Sequence, residues 1–338
     1  MKVSIVVAAR NERPNLETFL PRLLEQNFPD FEVLIIDDRS TDGTSDFLSD
    51  FKHPKLRFFR ISDKPEHLDG KKNALTKGIE KAQGEVILLT DADCYPASEH
   101  WISLMTAPFS REEIQIVLGY SPYERRRGLL NKFIQFETLN TASQYLTSAR
   151  LGIPYMGVGR NLAYRKTLFD AVGGLKPWQE QVGGDDDLFV GTYATAKNTI
   201  TVTHPESHVF SVPKQNFRAW LRQKIRHLGV GNAYRLKNRI WVALWQFLQL
   251  GSLILAWWTL FFYSDGMAVW GIRYLFWGTY FQYNKAKDGL NSSLVLIEVF
   301  TFELIFLVYY FAIGAIVTLR PSSQIWRENT KDNSRIKH

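Results

Sequence analysis

The sequence predicts an α/β fold, a mostly parallel sheet with helices on both faces, continued by an apolar helical region toward the C-terminus. Two observations carry this. In the first hundred residues, four apolar runs alternate with stretches of helical spacing. Later, the uncharged run Ile240 to Ser264 holds 25 residues, more than the roughly 20 that a helix needs to span a bilayer. The chain of 338 residues is 45% hydrophobic and 14% aromatic, which excludes a disordered chain and leaves room for one large core plus a further apolar part. Its single cysteine, Cys94, excludes an internal disulfide.

The opening "MKVSIVVAAR" meets Arg10 and Glu12 too soon for a secretory apolar region, so it reads as a first strand, "VSIVVAA". "FEVLIID", "LRFFRI" and "EVILLTD" read as the next three strands. Between them "NLETFLPRLLEQ" and "GKKNALTKGIEKAQ" have helical spacing, and Pro21 predicts a kink or an early end to the first of these. In such sheets ligands gather beyond the carboxyl ends of the strands. Asp37-Asp38 and Asp91-Asp93 fall there, so the two acidic clusters are expected to converge on one crevice. From Trp101 to His208 the pattern is mixed: a helix over Leu129 to Ala149, glycine punctuation in "YMGVGRNLAYRK" and "VGGLKPW", and a third acidic cluster, "GGDDDLF", opening another helix.

The net charge of +7 has a location: Lys214 to Arg239 holds eight Lys or Arg and no acid. A nucleic-acid patch and a cytoplasmic juxtamembrane segment both look like this. The uncharged span begins where the basic run ends, which excludes nucleic acid and places the run on the cytoplasmic side. Gly266 to Asn284 is apolar around Arg273 and fits an interfacial helix, a re-entrant piece or a snorkelling span. Leu290 to Leu319 is long enough to cross, with Glu298 and Glu303 in its first half. The division expected is 1–213 as an α/β domain, 214–239 as a basic amphipathic segment, 240–319 as two or three spans, and 320–338 as a basic cytoplasmic tail.

Two carboxylates one residue apart in "TDADC" repel unless a cation lies between them, and a divalent ion bound by hard oxygens removes the conflict. The same residues also suit a solvated turn. Acids in "IIDDRSTDGT" can accept from a base N–H or a ribose hydroxyl, while Asp42 and Thr44 also suit a turn and a helix cap. Lys71 and Lys72 at a helix start suit phosphate or a solvated face. Three adjacent carboxylates in "GGDDDLF" raise one another's pKa, and such a group supplies a general base, although a helix N-terminus also accepts acids. His208 fits a metal ligand or a structural histidine.

"NLETFLPRLLEQNFPDFEVLIIDDRSTDGT", "GKKNALTKGIEKAQGEVILLTDADC", "GGDDDL" and "RQKIRH" come in the order and spacing of membrane-associated family 2 glycosyltransferases of the GT-A fold. The chain resembles that family over roughly residues 2–227. The resemblance implies a GT-A domain, a nucleotide-diphospho-sugar donor and a Mg²⁺ or Mn²⁺ ion, with Asp93 the usual metal ligand and Asp91 beside it at the metal or the sugar. Asp37 and Asp38 match the nucleobase and ribose contacts, with Ala9, Glu12, Lys71 and Lys72 lining the donor site. Asn161 matches a Gly-any-Asn-any-Ala pattern beside the sugar. The family's catalytic Glu-Asp aligns with Gly184-Asp185, so its Glu is Gly here and the base is Asp185 or Asp186.

The Gln-any-any-Arg-Trp motif appears as Gln223-Lys224-Ile225-Arg226-His227. The resemblance puts Gln223 and Arg226 around the departing diphosphate. His227 replaces the Trp on which processive synthases stack the acceptor sugar, which implies transfer of one sugar at a time. The same segment also fits an interfacial helix with Phe217, Trp220, Leu221, Ile225 and Leu228 on its apolar face. The implied protein is an integral membrane enzyme with a cytoplasmic catalytic domain, inverting in outcome, acting on a lipid-linked or glycan acceptor in envelope polysaccharide or glycolipid synthesis. Transfer to polyprenyl phosphate is an alternative. So is a non-catalytic nucleotide-sugar-binding subunit, for which Gly184 argues.

Overall fold

The computed structural model describes residues 1–63, 67–288 and 296–319; the expected tail at 320–338 lies outside them. The first half follows the alternation: β1 (Val3–Ala9), α1 (Arg13–Leu24), β2 (Phe31–Asp38), α2 (Thr44–Asp50), β3 (Leu56–Ile61), α3 (Gly70–Lys81) and β4 (Val86–Leu89). Then come β5 (Cys94–Pro96), α4 (Trp101–Thr106), β6 (Ile116–Gly119), α5 (Leu129–Arg150), β7 (Leu162–Arg165), α6 (Lys166–Ala171) and α7 (Asp187–Tyr193). β8 (Thr199–Val202), β9 (Val209–Ser211) and the helices α8 (Phe217–Gly229), α9 (Leu236–Phe262), α10 (Gly266–Asp288) and α11 (Leu296–Leu319) complete the described elements.

Seven strands form one sheet in the order β3-β2-β1-β4-β7-β6-β8. All neighbours are parallel except β7, which runs antiparallel to both β4 and β6. Residues alternate between the two faces with period two, as a pleated strand requires. Val6, Leu34, Ile36, Ile87 and Leu89 face α3 and α5, whereas Ile5, Val7, Val33, Ile35 and Leu88 face α1 and α4. Both faces are covered, so the central strands read as unbroken apolar runs; every position of β2 is buried. Each such Val, Leu or Ile contributes about 1.5–3 kcal/mol.

Pro21 does not end α1. It stands in the last turn, where one missing N–H costs a single bond, and Glu25 N still donates to Pro21 O at 2.9 Å. Leu20, Leu23 and Leu24 are buried around it and hold the turn in place. The second correction is at β4, which ends at Leu89, before Asp91. Cys94 N donates to Asp91 O (3.1 Å) and closes a turn, after which β5 leaves the main sheet to pair with β9.

α5 is buried on nearly all sides because it lies between the sheet and the C-terminal helices. Toward the sheet, Tyr145 donates to Gly119 O (2.6 Å). On the other side Gln249 donates to Asn140 (3.1 Å), Trp241 to Ser148 (2.9 Å), and Lys224 pairs with Glu137. α8 is amphipathic as expected, but its apolar face packs on this chain. Trp220 meets Phe133 and Tyr309, and Ile225 meets Ile313 of α11, while Phe217 is exposed.

Among the described residues one helix, α9, is long and apolar enough to cross a membrane, where two or three spans were expected. Its polar residues Asn238, Gln246 and Gln249 face inward, and Phe247, Leu248, Leu255 and Phe261 face out. Arg273 of α10 does not stand alone. It forms a two-bonded pair with the buried Glu303 of α11 (3.0 and 2.5 Å), whose oxygens also accept from Tyr274 and Trp277.

Candidate functional site

The turn after β4 leaves Asp91 and Asp93 side by side at the sheet's carboxyl edge, part-buried, with ligand atoms of Asp91, Asp93 and Cys94 within 4.8 Å of one another. Burial, then the neighbouring Asp91, raises the Asp93 carboxyl above its ordinary value. Burial pushes the Cys94 thiol up as well, and its S–H donates to Asp93 Oδ1 at 3.4 Å. A protonated thiol is a poor ligand, so the donor set is two hard carboxylates, which fit Mg²⁺ or Mn²⁺. Glu12, just before α1, is raised by burial and further by the charges of Asp93 and Asp91, so it belongs to the same crevice.

Lys71, in the first turn of α3, joins the second acidic cluster to the third. Its Nζ lies 2.9 Å from Asp91 and 3.2 Å from Asp185. Burial opposes its charge, but Asp185 and Asp91 outweigh burial and hold the ammonium protonated. Asp185 shows the converse. Burial alone would raise it, whereas Lys71 and Lys72 hold it below the usual aspartate value.

The three adjacent aspartates are not equivalent. Asp186 caps α7, accepting from Gly159 N (2.5 Å) and Asp187 N (2.8 Å), and burial followed by Asp185 pushes it up to about 6. Asp187 accepts from Tyr234 (2.8 Å) and is raised by burial and then by Asp186. Asp185 is held by charge instead: its buried Oδ2 lies 3.2 Å from the Lys71 ammonium. Gly184, where the resembling family has Glu, has φ +79° and a position for Cβ only 2.5 Å from Val230 Cγ1. A side chain there would be strained and would collide.

Other expected residues have different surroundings. Lys72 is fully buried, and its Nζ donates to the carbonyls of Gln181 and Gly183, so it ties α3 to the loop before the acidic triple. Asn161 is also fully buried. Its amide is taken by Trp101 Nε1 (2.9 Å), Tyr120 O (2.8 Å) and Ser207 O (2.9 Å). Asp37 is buried and accepts from Ser40 N (3.0 Å) and Ser45, shaping the turn after β2. Asp38 pairs with Arg39 and lies against Gly70, at the start of α3.

Ala9 is buried at the end of β1, opposite Asp37. His208 is structural, its Nε2 3.0 Å from Thr203 O and its ring edge-on to Tyr120. Gln223 donates to the Tyr123 hydroxyl (3.3 Å), and Arg226 and His227 are exposed on α8. Arg226 runs close to Gly183.

Three groups escaped the sequence reading. Arg160 lies over the Tyr123 ring, 4.4 Å from its centre, and Lys214 sends its charge toward Asp93 and Glu12. Arg160 stood inside the glycine-punctuated stretch that drew attention to Asn161. Nothing local marked Tyr123, since its role depends on strand pairing far along the chain.

Residues 4–173 match the family described as "Glycosyl transferase family 2". The chain is 25% identical over 246 residues, 69% of its length, to the "Probable glycosyltransferase YdaM" of Bacillus subtilis. It is 29% identical over 195 residues, 54% of its length, to the "Beta-monoglucosyldiacylglycerol synthase" of a Nostoc species. These matches span 56% and 39% of the relatives' own lengths, so the chain accounts for about half of each or less. Among solved structures, the mannosyltransferase PcManGT of Pyrobaculum calidifontis, in complex with GDP-Man and Mn²⁺, superposes with a TM-score of 0.58 at 20% identity. The superposition covers 90% of this chain and 87% of that one, and it shows a shared fold.

Proposed function

The chain belongs to glycosyl transferase family 2, and from that premise we propose that it is an inverting glycosyltransferase that moves one sugar from a nucleotide-diphospho-sugar to a lipid-linked or glycan acceptor at a membrane. The observation that carries this reading is the double contact of Lys71, which brings the metal-type pair and Asp185 together at one crevice. Transfer needs a donor site and an acceptor base within reach of one another.

Asp91 and Asp93 would hold the divalent ion, which when bound neutralises charge developing on the leaving diphosphate. Asp185, ionised beside Lys71, accepts the proton of the acceptor hydroxyl as the hydroxyl oxygen attacks C1 from the face opposite the leaving group. Lys71 orients Asp185 and, lying between it and the metal-type pair, would bind the donor's phosphates. Arg226, exposed beside the loop that carries Asp185, closes on the diphosphate with Gln223. Gly184 is set by backbone geometry, which removes the main support for a non-catalytic subunit.

The exposed apolar faces of α9 and α10 support membrane attachment, with the basic segment before α9 on the cytoplasmic side. The name of the Nostoc relative, a glucosyldiacylglycerol synthase, supports a lipid acceptor in a glycolipid or envelope pathway. His227 supports single transfer. The test is release of nucleoside diphosphate from UDP-, GDP- and dTDP-sugars by the purified full chain with Mn²⁺ and a lipid extract, with product length read at excess acceptor. Asp185→Asn is expected to lower transfer about 10²- to 10⁴-fold while leaving donor binding intact. Wild-type transfer in that variant, or long polymer before most acceptor is used once, refutes the reading.

A further inference from the structure

Arg160 has no role in the mechanism above, yet it sits at the wall of the crevice. Its place follows from strand pairing. Asp93 O accepts from Val212 N (3.2 Å), and the next residue, Cys94, pairs with Ser211 of β9. On its other side Ser211 bridges Tyr123, and Arg160 lies over the Tyr123 ring. Tyr123 is therefore held two strand spacings, about 10 Å, from the backbone of Cys94, and the Arg160 guanidinium over its ring is within electrostatic reach of Asp91 and Asp93.

Its neighbours in sequence are anchored in both directions. Gly159 N donates to Asp186, and Asn161 is fixed through Trp101, Tyr120 and Ser207. The backbone is thus rigid, and the ring fixes the side chain. Arg160 Nη1 is buried and has no hydrogen-bond partner. A buried charged donor left unpaired is costly unless a ligand completes it. The titratable groups facing it are Asp91, Asp93 and Cys94 on the turn and β5, Tyr120 and Tyr123 after β6, Tyr145 of α5 and His227 of α8.

We infer that Arg160 is a donor-binding residue whose guanidinium, stacked on Tyr123, grips the diphosphate oxygens of the nucleotide sugar opposite Lys71. The inference rests on the glycosyltransferase reading. A cation held by Asp91 and Asp93 would repel Arg160 unless an anion lay between them, and a diphosphate filling the ion's remaining positions is such an anion. The planar fork suits two phosphate oxygens at once, which an ammonium does not offer. Because Tyr123 also accepts from Gln223, one ring aligns Arg160 with the Gln223 and Arg226 end of α8.

The test uses the full chain in detergent, Mn²⁺ and inorganic pyrophosphate, with binding read by calorimetry. Arg160→Gln is expected to weaken pyrophosphate about ten- to hundred-fold and to bind Mn²⁺ alone at least as tightly, since a nearby positive charge is gone. Arg160→Lys should fall between, and Tyr123→Phe, which keeps the ring, should stay near wild type. Unchanged pyrophosphate affinity in Arg160→Gln, with loss in Asp93→Asn, overturns the assignment and leaves the donor reading standing. A wild-type chain that binds Mn²⁺ but not pyrophosphate overturns both. If Arg160→Gln does not fold, Tyr123→Ala decides: weakened pyrophosphate binding supports the grip, and unchanged binding overturns it.

Discussion

The crevice at the end of β4 and the seam along α5 both bury charge, and they do so in opposite ways. In the seam each described charge is matched within the chain: Lys224 with Glu137, and Arg273 with Glu303. What remains unpartnered there is neutral, chiefly amide and hydroxyl atoms of Gln144, Gln246, Gln249 and Ser143. In the crevice a charged atom is left over, Arg160 Nη1, one ammonium, Lys71, is shared by Asp185 and Asp91, and Asp91 stands close to Asp93. Matched burial is what a folding joint requires, because an uncompensated buried charge costs several kcal/mol. Unmatched burial persists where something else completes it. The difference separates the part that holds the molecule together from the part that acts on a ligand.

The largest expected effect tests the crevice half of this contrast. Asp93→Asn should lower transfer about 10³-fold or more, several kcal/mol at 1.36 kcal/mol per decade. It should not lower the melting temperature, because it removes repulsion with Asp91. Transfer rate, Mn²⁺ binding and thermal unfolding of one preparation measure all three, and a melting temperature that falls with activity would erase the contrast.

The seam predicts the reverse. Glu137→Leu leaves Lys224 charged and buried and should cost about 3–5 kcal/mol of stability. Adding Lys224→Met should recover most of it, since two well-packed apolar side chains replace a pair whose attraction mainly offsets its own desolvation. Denaturant unfolding in detergent checks this. A double variant as unstable as the single one would mean that the pair contributes more than charge balance.

The smallest effect sharpens the boundary between the two regions. Asp186 is raised from 3.8 to about 6, so the folded chain holds its proton in a range where the unfolded chain has lost it. Its contribution is fully present below about 3.8 and is lost as pH rises through about 6. Melting temperature against pH should therefore carry a falling component over that window. Asp186→Asn should lack it. Identical slopes in both proteins would show that Asp186 titrates as it does in water.

The alternation of apolar runs with helical spacing was enough to place β1 and β3 to the residue and to place α3 and α5 within two residues. Periodicity and caps are local, so they are readable without knowing the fold. β4 ends two residues earlier than expected, at Leu89, where the apolar run itself ends, and the bond from Cys94 N to Asp91 O that turns the chain there is not legible in residue type. α9 begins at Leu236, inside the basic run, since charge on a helix's first turn does not prevent helix formation.

By itself the sequence determined the α/β class, the order of the early elements, the long apolar helix, and the three acidic clusters that mark the site. Each depends on residue type and spacing along a short stretch. Only the tertiary structure decided which residues are free to act. Lys71 and Lys72 are adjacent and chemically identical, yet one bridges Asp91 and Asp185 while the other is spent on two carbonyls. Asp185, Asp186 and Asp187 differ only in what packs against them: a lysine, two backbone amides and a tyrosine. The partners of these groups come from distant parts of the chain, so neither burial nor hydrogen bonding at the site could be read before the sheet and helices were assembled.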